Sequence, residues 1–184
     1  FHKNSPIKDY PVKDIFFEKR RERNELKTIA FFGGSQGAVA INNFALKVVP
    51  KLNEMGIKII HQAGINDFSR VKSEYEKLNI NADVFGFTKD IMNKMNQADF
   101  CVSRAGASTL FELCANNLPT FFIPFKYAAQ NHQYYNAKAL CEQNLCFLQN
   151  EDELNIDDFF KILNSVNLEK ISLGLKGFIE PNGI

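Results

Sequence analysis

The sequence predicts an α/β protein with a Rossmann-like, doubly wound parallel sheet. Apolar strand-like runs alternate with helix-like segments along most of the chain. The strand-like runs do not alternate polar with apolar residues, which is typical of strands buried on both faces of a parallel sheet. Right-handed crossovers then cover both faces with helices and place a ligand site at the carboxyl ends of the strands.

Each element follows from its own residue pattern. The first strand is predicted at 28–32, an apolar run closed by Gly33 and Gly34. Apolar residues at helical spacing from Ile41 to Leu52 predict a helix that Gly56 ends. Short apolar runs predict the later strands and amphipathic segments predict the later helices, in the order strand 57–62, helix 68–78, strand 82–85, helix 91–98, strand 100–103, helix 108–116, strand 120–123, helix 131–143, strand 146–148 and helix 152–166.

Composition excludes several classes of protein. The chain has 184 residues with 22 basic and 21 acidic side chains, and its net charge of +1 lacks the basic excess of a nucleic-acid-binding protein. Hydrophobic residues make up 45%, which is too many for a disordered chain. No apolar run approaches the roughly 20 residues of a membrane-spanning helix.

The domain organisation is predicted as an interdomain linker at 1–25 and one domain at 26–184. The charge run Glu18–Arg23 is interpreted as a solvated linker or a short helix in preference to a basic patch for anionic lipid or phosphate. The sequence starts at Phe1 without an initiator Met or a leader, which indicates a piece of a longer chain. Cysteines in apolar segments without metal-ligand spacing predict buried reduced thiols at Cys101, Cys114, Cys141 and Cys146.

The loop after the first strand is a candidate anion site. Its sequence Gly33-Gly34-Ser35-Gln36-Gly37-Ala38 lets the backbone approach a ligand and leads into a helix whose first amides favour an anion. The spacing is G-G-x-x-G, and the motif HQAG at 61–64 lacks the acid that would hold the ribose of NAD. No Lys-Ser or Lys-Thr pair follows, which disfavours a P-loop. Tight turns of this kind also need glycine when nothing binds.

The segment after the fourth strand, 103–112, combines a turn residue with polar helix-start residues. Gly106 allows a sharp turn, the amides after it suit a phosphate, and Glu112 suits the vicinal hydroxyls of a ribose. A capping box of Thr109 with Glu112 explains the same residues without a ligand. The residues alone leave both interpretations open.

The segment 124–137 follows the fifth strand at the same edge of the sheet. It is rich in neutral amides and hydroxyls, which suit the hydroxyls of a sugar. A plain helix start with Asn131 as N-cap is the simpler interpretation of this segment taken alone.

Together, four motifs are similar to those of one known family. GGSQGA at 33–38, HQAG at 61–64, SRAGAxTxxE at 103–112 and LPxxxIPF…HQxxNA at 118–137 resemble, in order and spacing, a carboxy-terminal domain of bacterial enzymes. These are the UDP-N-acetylglucosamine–N-acetylmuramyl-(pentapeptide) pyrophosphoryl-undecaprenol N-acetylglucosaminyltransferases of the MurG type. The likeness covers about Lys13 to Leu148.

This resemblance implies one half of a two-domain GT-B glycosyltransferase. This half would bind the donor, UDP-N-acetylglucosamine, while the missing amino-terminal half would hold the acceptor lipid I, contact the membrane and supply the catalytic base. The product would be lipid II for peptidoglycan synthesis, formed with inversion and without a metal or cofactor. The enzyme would work at the cytoplasmic face of the inner membrane, and this chain alone would bind the donor without transferring it.

The resemblance also assigns donor contacts by position. The assigned positions are Ser35, Phe87, Thr88, Ala107, Ser108, Thr109, Leu110, Phe111, Glu112 and Gln133, with Lys13, Gly34, Gln36 and His132 as further candidates. Ser35 and the helix start at 107–109 would hold the diphosphate, and Glu112 the ribose. Phe87 and the main chain of Thr88 would hold the uracil. Gln133, with His132 beside it, would contact the sugar hydroxyls.

Two other functions remain open at this point. Another UDP-sugar enzyme of the GT-B fold, such as a UDP-N-acetylglucosamine epimerase, would share this nucleotide-binding half. A non-catalytic nucleotide-binding module would share the site without the chemistry.

Overall fold

A parallel sheet of six strands forms the centre of the computed structural model, which describes residues 10–181. The strands are β1 (Thr28–Phe32), β2 (Lys58–Gln62), β3 (Asp83–Phe85), β4 (Phe100–Ser103), β5 (Thr120–Phe122) and β6 (Phe147–Leu148). They lie in the order β3-β2-β1-β4-β5-β6, so the direction of winding reverses between β1 and β4. The predicted α/β fold with a doubly wound parallel sheet is confirmed.

Eight α-helices connect and cover the strands within residues 10–181. They are α1 (Ile15–Glu18), α2 (Val39–Glu54), α3 (Phe68–Lys77), α4 (Ile91–Gln97), α5 (Ala107–Ala115), α6 (His132–Cys141), α7 (Ile156–Ser165) and α8 (Leu168–Lys176). Two short 3₁₀ turns lie at Ala129–Asn131 and Glu151–Glu153.

Alternate residues of each strand face opposite layers of helices. In β1, Ile29 and Phe31 pack with α2, α3 and α7, whereas Ala30 and Phe32 pack on the face covered by α1, α4, α5, α6 and α8. Both faces are therefore apolar, as the uninterrupted apolar runs predict. The first crossover, through α2, covers one face, and the crossover through α5 covers the other. The two helices diverge and leave a crevice above the carboxyl ends of β1 and β4.

Two helical segments differ from the prediction. The segment 152–166 is a 3₁₀ turn followed by α7, because the Asn155 side chain accepts a hydrogen bond from the Asp158 amide and starts a new helix there. The sequence patterns do not predict α8, which contains Gly174 in its last turn. That glycine lies where a Cβ would overlap the Leu145 side chain, so close packing explains a residue that otherwise disfavours a helix.

The charge run Glu18–Arg23 is solvated only in part: it begins at the end of the short helix α1, and Glu18, Lys19 and Glu22 are exposed, but its last residue is not. Arg23 is fully buried, and Arg21 forms an ion pair of 2.6 Å with Asp99. Earlier in the same stretch, Phe16 and Phe17 pack into the core on the face that carries α5. The predicted boundary at residue 25 stays a prediction, and residues 1–9 and 182–184 lie outside the described part of the chain.

The four cysteines are unpaired thiols in the structure. Cys101, Cys114 and Cys146 are buried, as predicted, whereas Cys141 is half-buried. Within residues 10–181, no helix is both long and apolar enough to cross a lipid bilayer.

Candidate functional site

The candidate site lies where the winding of the sheet reverses. A small cavity of about 80 Å³ opens between the carboxyl ends of β1 and β4 and is lined by residues that include Gly34, Ile91, Thr109 and Glu112. A wider cleft of about 460 Å³ adjoins it, sharing Gly33 and Arg104 and extending to Gln133. The two spaces together bring the three predicted loops to one edge of the sheet.

Gly37 in the first loop and Gly64 in the loop after β2 are required by the packing of these two loops against each other. Gly37 and Gly64 have φ values of +89° and +82°, and a Cβ on Gly64 would overlap the backbone of Gly37. The Ile65 amide also donates to the Ser35 carbonyl over 2.9 Å. The motif HQAG at 61–64 therefore supports the glycine-rich loop, whose Ser35 is exposed.

A buried polar network fixes this support. The Asn42 amide nitrogen donates to the Ala63 carbonyl over 2.9 Å and to Asp67 over 2.7 Å, so its oxygen faces His61 Nε2 at 3.0 Å. His61 therefore carries its proton on Nε2, and its Nδ1 accepts from the Tyr75 hydroxyl at 3.0 Å. Burial lowers the pKa of His61 to about 3, which keeps the ring neutral. The network holds together α2, α3 and the loop after β2.

The N-terminus of α5 is open to the crevice. The helix begins at Ala107 with Gly106 as N-cap, and no side chain caps it. The first backbone bond of the helix runs from the Leu110 amide to the Gly106 carbonyl over 2.9 Å, so the three amides before Leu110 have no carbonyl in the preceding turn. Thr109 is the third helical residue, so the capping-box interpretation is wrong.

Glu112 is half-buried one turn into α5. Its carboxylate accepts a hydrogen bond from the Ser108 hydroxyl at 3.1 Å. Burial raises the pKa of Glu112, while the Ser108 hydrogen bond and the positive charge of Lys13 act in the opposite direction. The structure thus brings Lys13, Ser108, Thr109 and Glu112 together at one side of the crevice.

Two assigned residues of α5 do not present their side chains to the cavity. Leu110 is buried in the core. The Phe111 ring is stacked with Tyr10 at a centroid distance of 4.7 Å and with Phe178 at 6.5 Å. Neither residue is among those that line the two spaces, and the Leu110 amide already donates within the helix, so the structure does not bring these two residues into the site.

Gln133 and His132 lie in the first turn of α6. The Gln133 side-chain oxygen accepts from the Phe125 amide at 3.0 Å, and its amide nitrogen lies 4.0 Å from where a Cβ on Gly106 would stand. Gln133 therefore presents a donor towards the start of α5, whereas His132 is exposed. Asn131 precedes α6 in the left-handed conformation and makes no side-chain capping bond, so its predicted role as a capping side chain is wrong.

Phe87 and Thr88 lie in the loop between β3 and α4. The Phe87 ring is 55% exposed, and the Thr88 hydroxyl accepts a hydrogen bond from the Asp90 amide at 3.0 Å. Because Ile91, at the start of α4, lines the small cavity, this loop borders the site from the side of β3. The candidate Gln36 lies on the outer side of the first loop, where Asn66 donates to its carbonyl at 3.2 Å.

Sequence reasoning missed two residues that shape the site. Arg104 donates to the carbonyls of Ile123 at 3.1 Å and Pro124 at 2.9 Å and pairs with Glu151, which fixes the wall shared by the two spaces. It stands inside the motif at 103–112, so the motif itself gave a signal. Asn42 lies three residues before Ala45 on the apolar stripe of α2, where a polar residue indicates a buried hydrogen-bond partner.

The fold defines a Rossmann-like domain with a crevice where the winding of its parallel sheet reverses, and comparison with known proteins gives its family. The glycosyltransferase family 28 C-terminal domain matches residues 28–174. The chain belongs to this family of glycosyltransferase domains.

Named relatives carry the same likeness. A UDP-N-acetylglucosamine–N-acetylmuramyl-(pentapeptide) pyrophosphoryl-undecaprenol N-acetylglucosamine transferase of Campylobacter jejuni is 55% identical over 177 residues, 96% of this chain and 52% of that protein. The transferase of the same name from Sulfurovum is 49% identical over 179 residues, 97% of this chain and 53% of that protein. The chain thus spans about half the length of the curated relatives it matches.

Solved structures confirm the fold. MurG of Acinetobacter baumannii superposes with a TM-score of 0.79 at 24% identity, covering 99% of this chain and 55% of that one. A glycosyltransferase of kitacinnamycin superposes with a TM-score of 0.63 at 15% identity, covering 84% of this chain and 39% of that one. The predicted fold of one half of a GT-B glycosyltransferase is therefore confirmed.

The contact between the two glycine loops predicts a difference between two alanine substitutions. Gly64→Ala places a Cβ in the Gly37 backbone at positive φ, so we expect the free energy of unfolding to fall by about 3 kcal/mol or more. Gly56→Ala is the matched control, because Gly56 has a φ of +73° and nothing within 4 Å of an added Cβ. It carries backbone strain alone, of about 1 kcal/mol. Urea unfolding measures both, and equal losses would contradict the packing argument.

Proposed function

We propose that this chain is the donor-binding half of a transferase that moves N-acetylglucosamine from UDP-N-acetylglucosamine to lipid I, giving lipid II. The observation that carries the proposal is the open N-terminus of α5 beside the half-buried carboxylate of Glu112 at the β1–β4 crevice. The names of the relatives support the choice of sugar and acceptor.

The diphosphate would lie between α5 and the first loop. The amides of Ala107, Ser108 and Thr109 stand at the positive end of the helix dipole, which attracts an anion. Gly34 lines the small cavity at the end of β1, and the exposed Ser35 follows it in the chain. When the bond to the sugar breaks, negative charge grows on the departing UDP, and these fixed donors stabilise it. This chain would thereby meet the leaving-group charge with its own amides and hydroxyls.

The ribose would be held by Glu112. An ionised carboxylate has two oxygens and accepts the hydrogen bonds of two vicinal hydroxyls at once. Ser108 already donates to one of its oxygens at 3.1 Å, which orients the carboxylate towards the crevice. Because hydrogen bonds to a charged group are the strong ones, this contact is expected to dominate recognition of the sugar ring of the nucleoside.

Uncharged groups would bind the two ends of the donor, the uracil and the N-acetylglucosamine. The exposed Phe87 ring offers a stacking surface for uracil beside the main chain of Thr88. On the other side, the Gln133 amide nitrogen is directed to the start of α5, where a sugar attached to the diphosphate would lie. A neutral amide donor suits sugar hydroxyls, which carry no charge.

The remaining steps belong to the whole transferase. We expect its other half to bind lipid I, to supply the base that activates the attacking hydroxyl, and to contact the cytoplasmic face of the inner membrane. This chain would then bind the donor without transferring the sugar. Formation of lipid II by the chain alone would contradict this assignment of roles.

Substitution of Glu112 tests the ribose contact. We expect Glu112→Gln to weaken UDP binding by at least about tenfold, because a neutral amide replaces a charged acceptor of two hydrogen bonds. With 2′,3′-dideoxy-UDP the substitution should change the affinity by less than about twofold, since those hydroxyls are missing. Isothermal titration calorimetry measures both ligands.

Glu142→Gln, at an exposed glutamate that follows α6, is the matched control and should bind both ligands as the unaltered chain does. An equal loss for UDP and for its dideoxy analogue in Glu112→Gln would show that Glu112 does not hold the ribose.

The pH dependence of binding should report the same carboxylate. Burial raises the pKa of Glu112, so the group takes up its proton at a higher pH than an exposed glutamate does. Binding needs the ionised form, and the affinity for UDP should therefore fall as the pH drops through this raised pKa. The Glu112→Gln variant should lose this part of the pH dependence. An unchanged profile in the variant would assign the titration to another group, such as a phosphate of the ligand.

A further inference from the structure

Arg23 is a fully buried cation whose five N–H donors are all accepted by oxygen atoms. Nε donates to the Ala98 carbonyl at 3.0 Å, and one terminal nitrogen donates to the carbonyls of Arg21 and Asn116. The other donates to the Met95 carbonyl at 3.2 Å and to the Asn116 side-chain oxygen at 2.6 Å. The acceptors are thus four backbone carbonyls and one side-chain amide.

Three of these carbonyls belong to the C-terminal ends of two helices. Met95 and Ala98 lie at the end of α4, and Asn116 is the C-cap of α5. The last carbonyls of a helix lack partners within it and carry the negative end of the dipole, so a buried cation between them satisfies both needs. Arg21 takes the Asn96 carbonyl at 2.8 Å and shares that of Ala98. Burial lowers the pKa of Arg23 to about 9, which still leaves the guanidinium charged at neutral pH.

The opposite ends of the same two helices border the candidate site. Ile91 at the start of α4 and Thr109 in the first turn of α5 line the small cavity, and the loop with Phe87 and Thr88 leads into α4. With a rise of 1.5 Å per residue, α4 spans roughly 10 Å and α5 roughly 14 Å. Each helix is short and rigid, with its C-terminal end at Arg23 and its N-terminal end at the crevice. The distance between the two C-terminal ends therefore affects the distance between the two N-terminal ends.

We propose that Arg23 is a positioning residue for nucleotide binding. Resting on the proposed function above, it fixes the distance between the part of the site that receives uracil, before α4, and the part that receives ribose and diphosphate, at α5. The planar guanidinium bridges both helix ends in one geometry. A lysine at this position keeps the charge but has three donors on one atom, and it cannot reproduce the bridge.

The test compares UDP affinity with stability in variants of the whole chain. Arg23→Lys should weaken UDP binding by about fivefold or more under conditions where circular dichroism shows the variant fully folded. Leu163→Ala is the stability control, since Leu163 is buried in α7 on the opposite face of the sheet. It should lower the midpoint of urea unfolding and leave the UDP affinity unchanged.

Two further measurements separate positioning from simple destabilisation. Asn116→Ala keeps Arg23 and removes one of its acceptors, so it should weaken UDP binding, but by less than Arg23→Lys does. This variant still tests the positioning role if Arg23→Lys does not fold. In Arg23→Ala, millimolar guanidinium chloride should restore part of the affinity for UDP, whereas sodium chloride at the same concentration should not.

The outcomes distinguish this inference from the function on which it rests. If the unaltered chain shows no saturable UDP binding, the proposed function fails, and the inference fails with it. If the unaltered chain binds UDP, while folded Arg23→Lys and Asn116→Ala bind it equally well, the function stands and the positioning role is wrong. Loss of affinity in Leu163→Ala equal to that in Arg23→Lys would likewise overturn it.

Discussion

The reversal of winding between β1 and β4 is the constraint on which the rest of the structure depends. It sends α2 to one face of the sheet and α5 to the other, so their N-terminal ends diverge above one crevice. The candidate residues reach this crevice from a strand end or from the first turns of a helix. Holding the first loop in place then requires backbone contact between Gly37 and Gly64, and the buried bond between His61 and Asn42 stabilises that contact.

In the helices that border the crevice, the backbone groups at the two ends find different hydrogen-bond partners. At the front of α5 the amides have no capping side chain, which leaves them available to an anion. At the C-terminal ends, the carbonyls of α4 and α5 accept hydrogen bonds from Arg23 and Arg21. The same dipoles therefore favour a ligand at one end and a permanent cation at the other. In the proposed function, this arrangement would allow a diphosphate to bind with modest positive charge at the surface of the site.

The sequence predicts the sheet well because its strands are buried on both faces, which produces short apolar runs without alternation. The site loops were found because glycines and polar helix-start residues stand directly after those runs. Arg23 was missed because it lies among charged neighbours, and only tertiary contacts distinguish a buried guanidinium from a solvated one. The residues alone left the start of α5 open between an anion site and a capping box, because Thr109 and Glu112 fit both, and only the position of Gly106 at the N-cap excludes the capping box. The position of Leu110 in the core explains why adjacent residues of one motif contribute differently.

The central claim is that UDP binds at the crevice between β1 and β4. Another cleft, of about 540 Å³, lies at the amino ends of β1 and β2 and is lined by residues such as Lys58 and Asn81. Amide chemical shifts of the ¹⁵N-labelled chain, followed during a UDP titration, distinguish the two places. The account predicts saturable shifts at Ser35, Ser108 and Thr109, with Lys58 and Asn81 unmoved. Shifts confined to Lys58, Asn81 and their neighbours would contradict it.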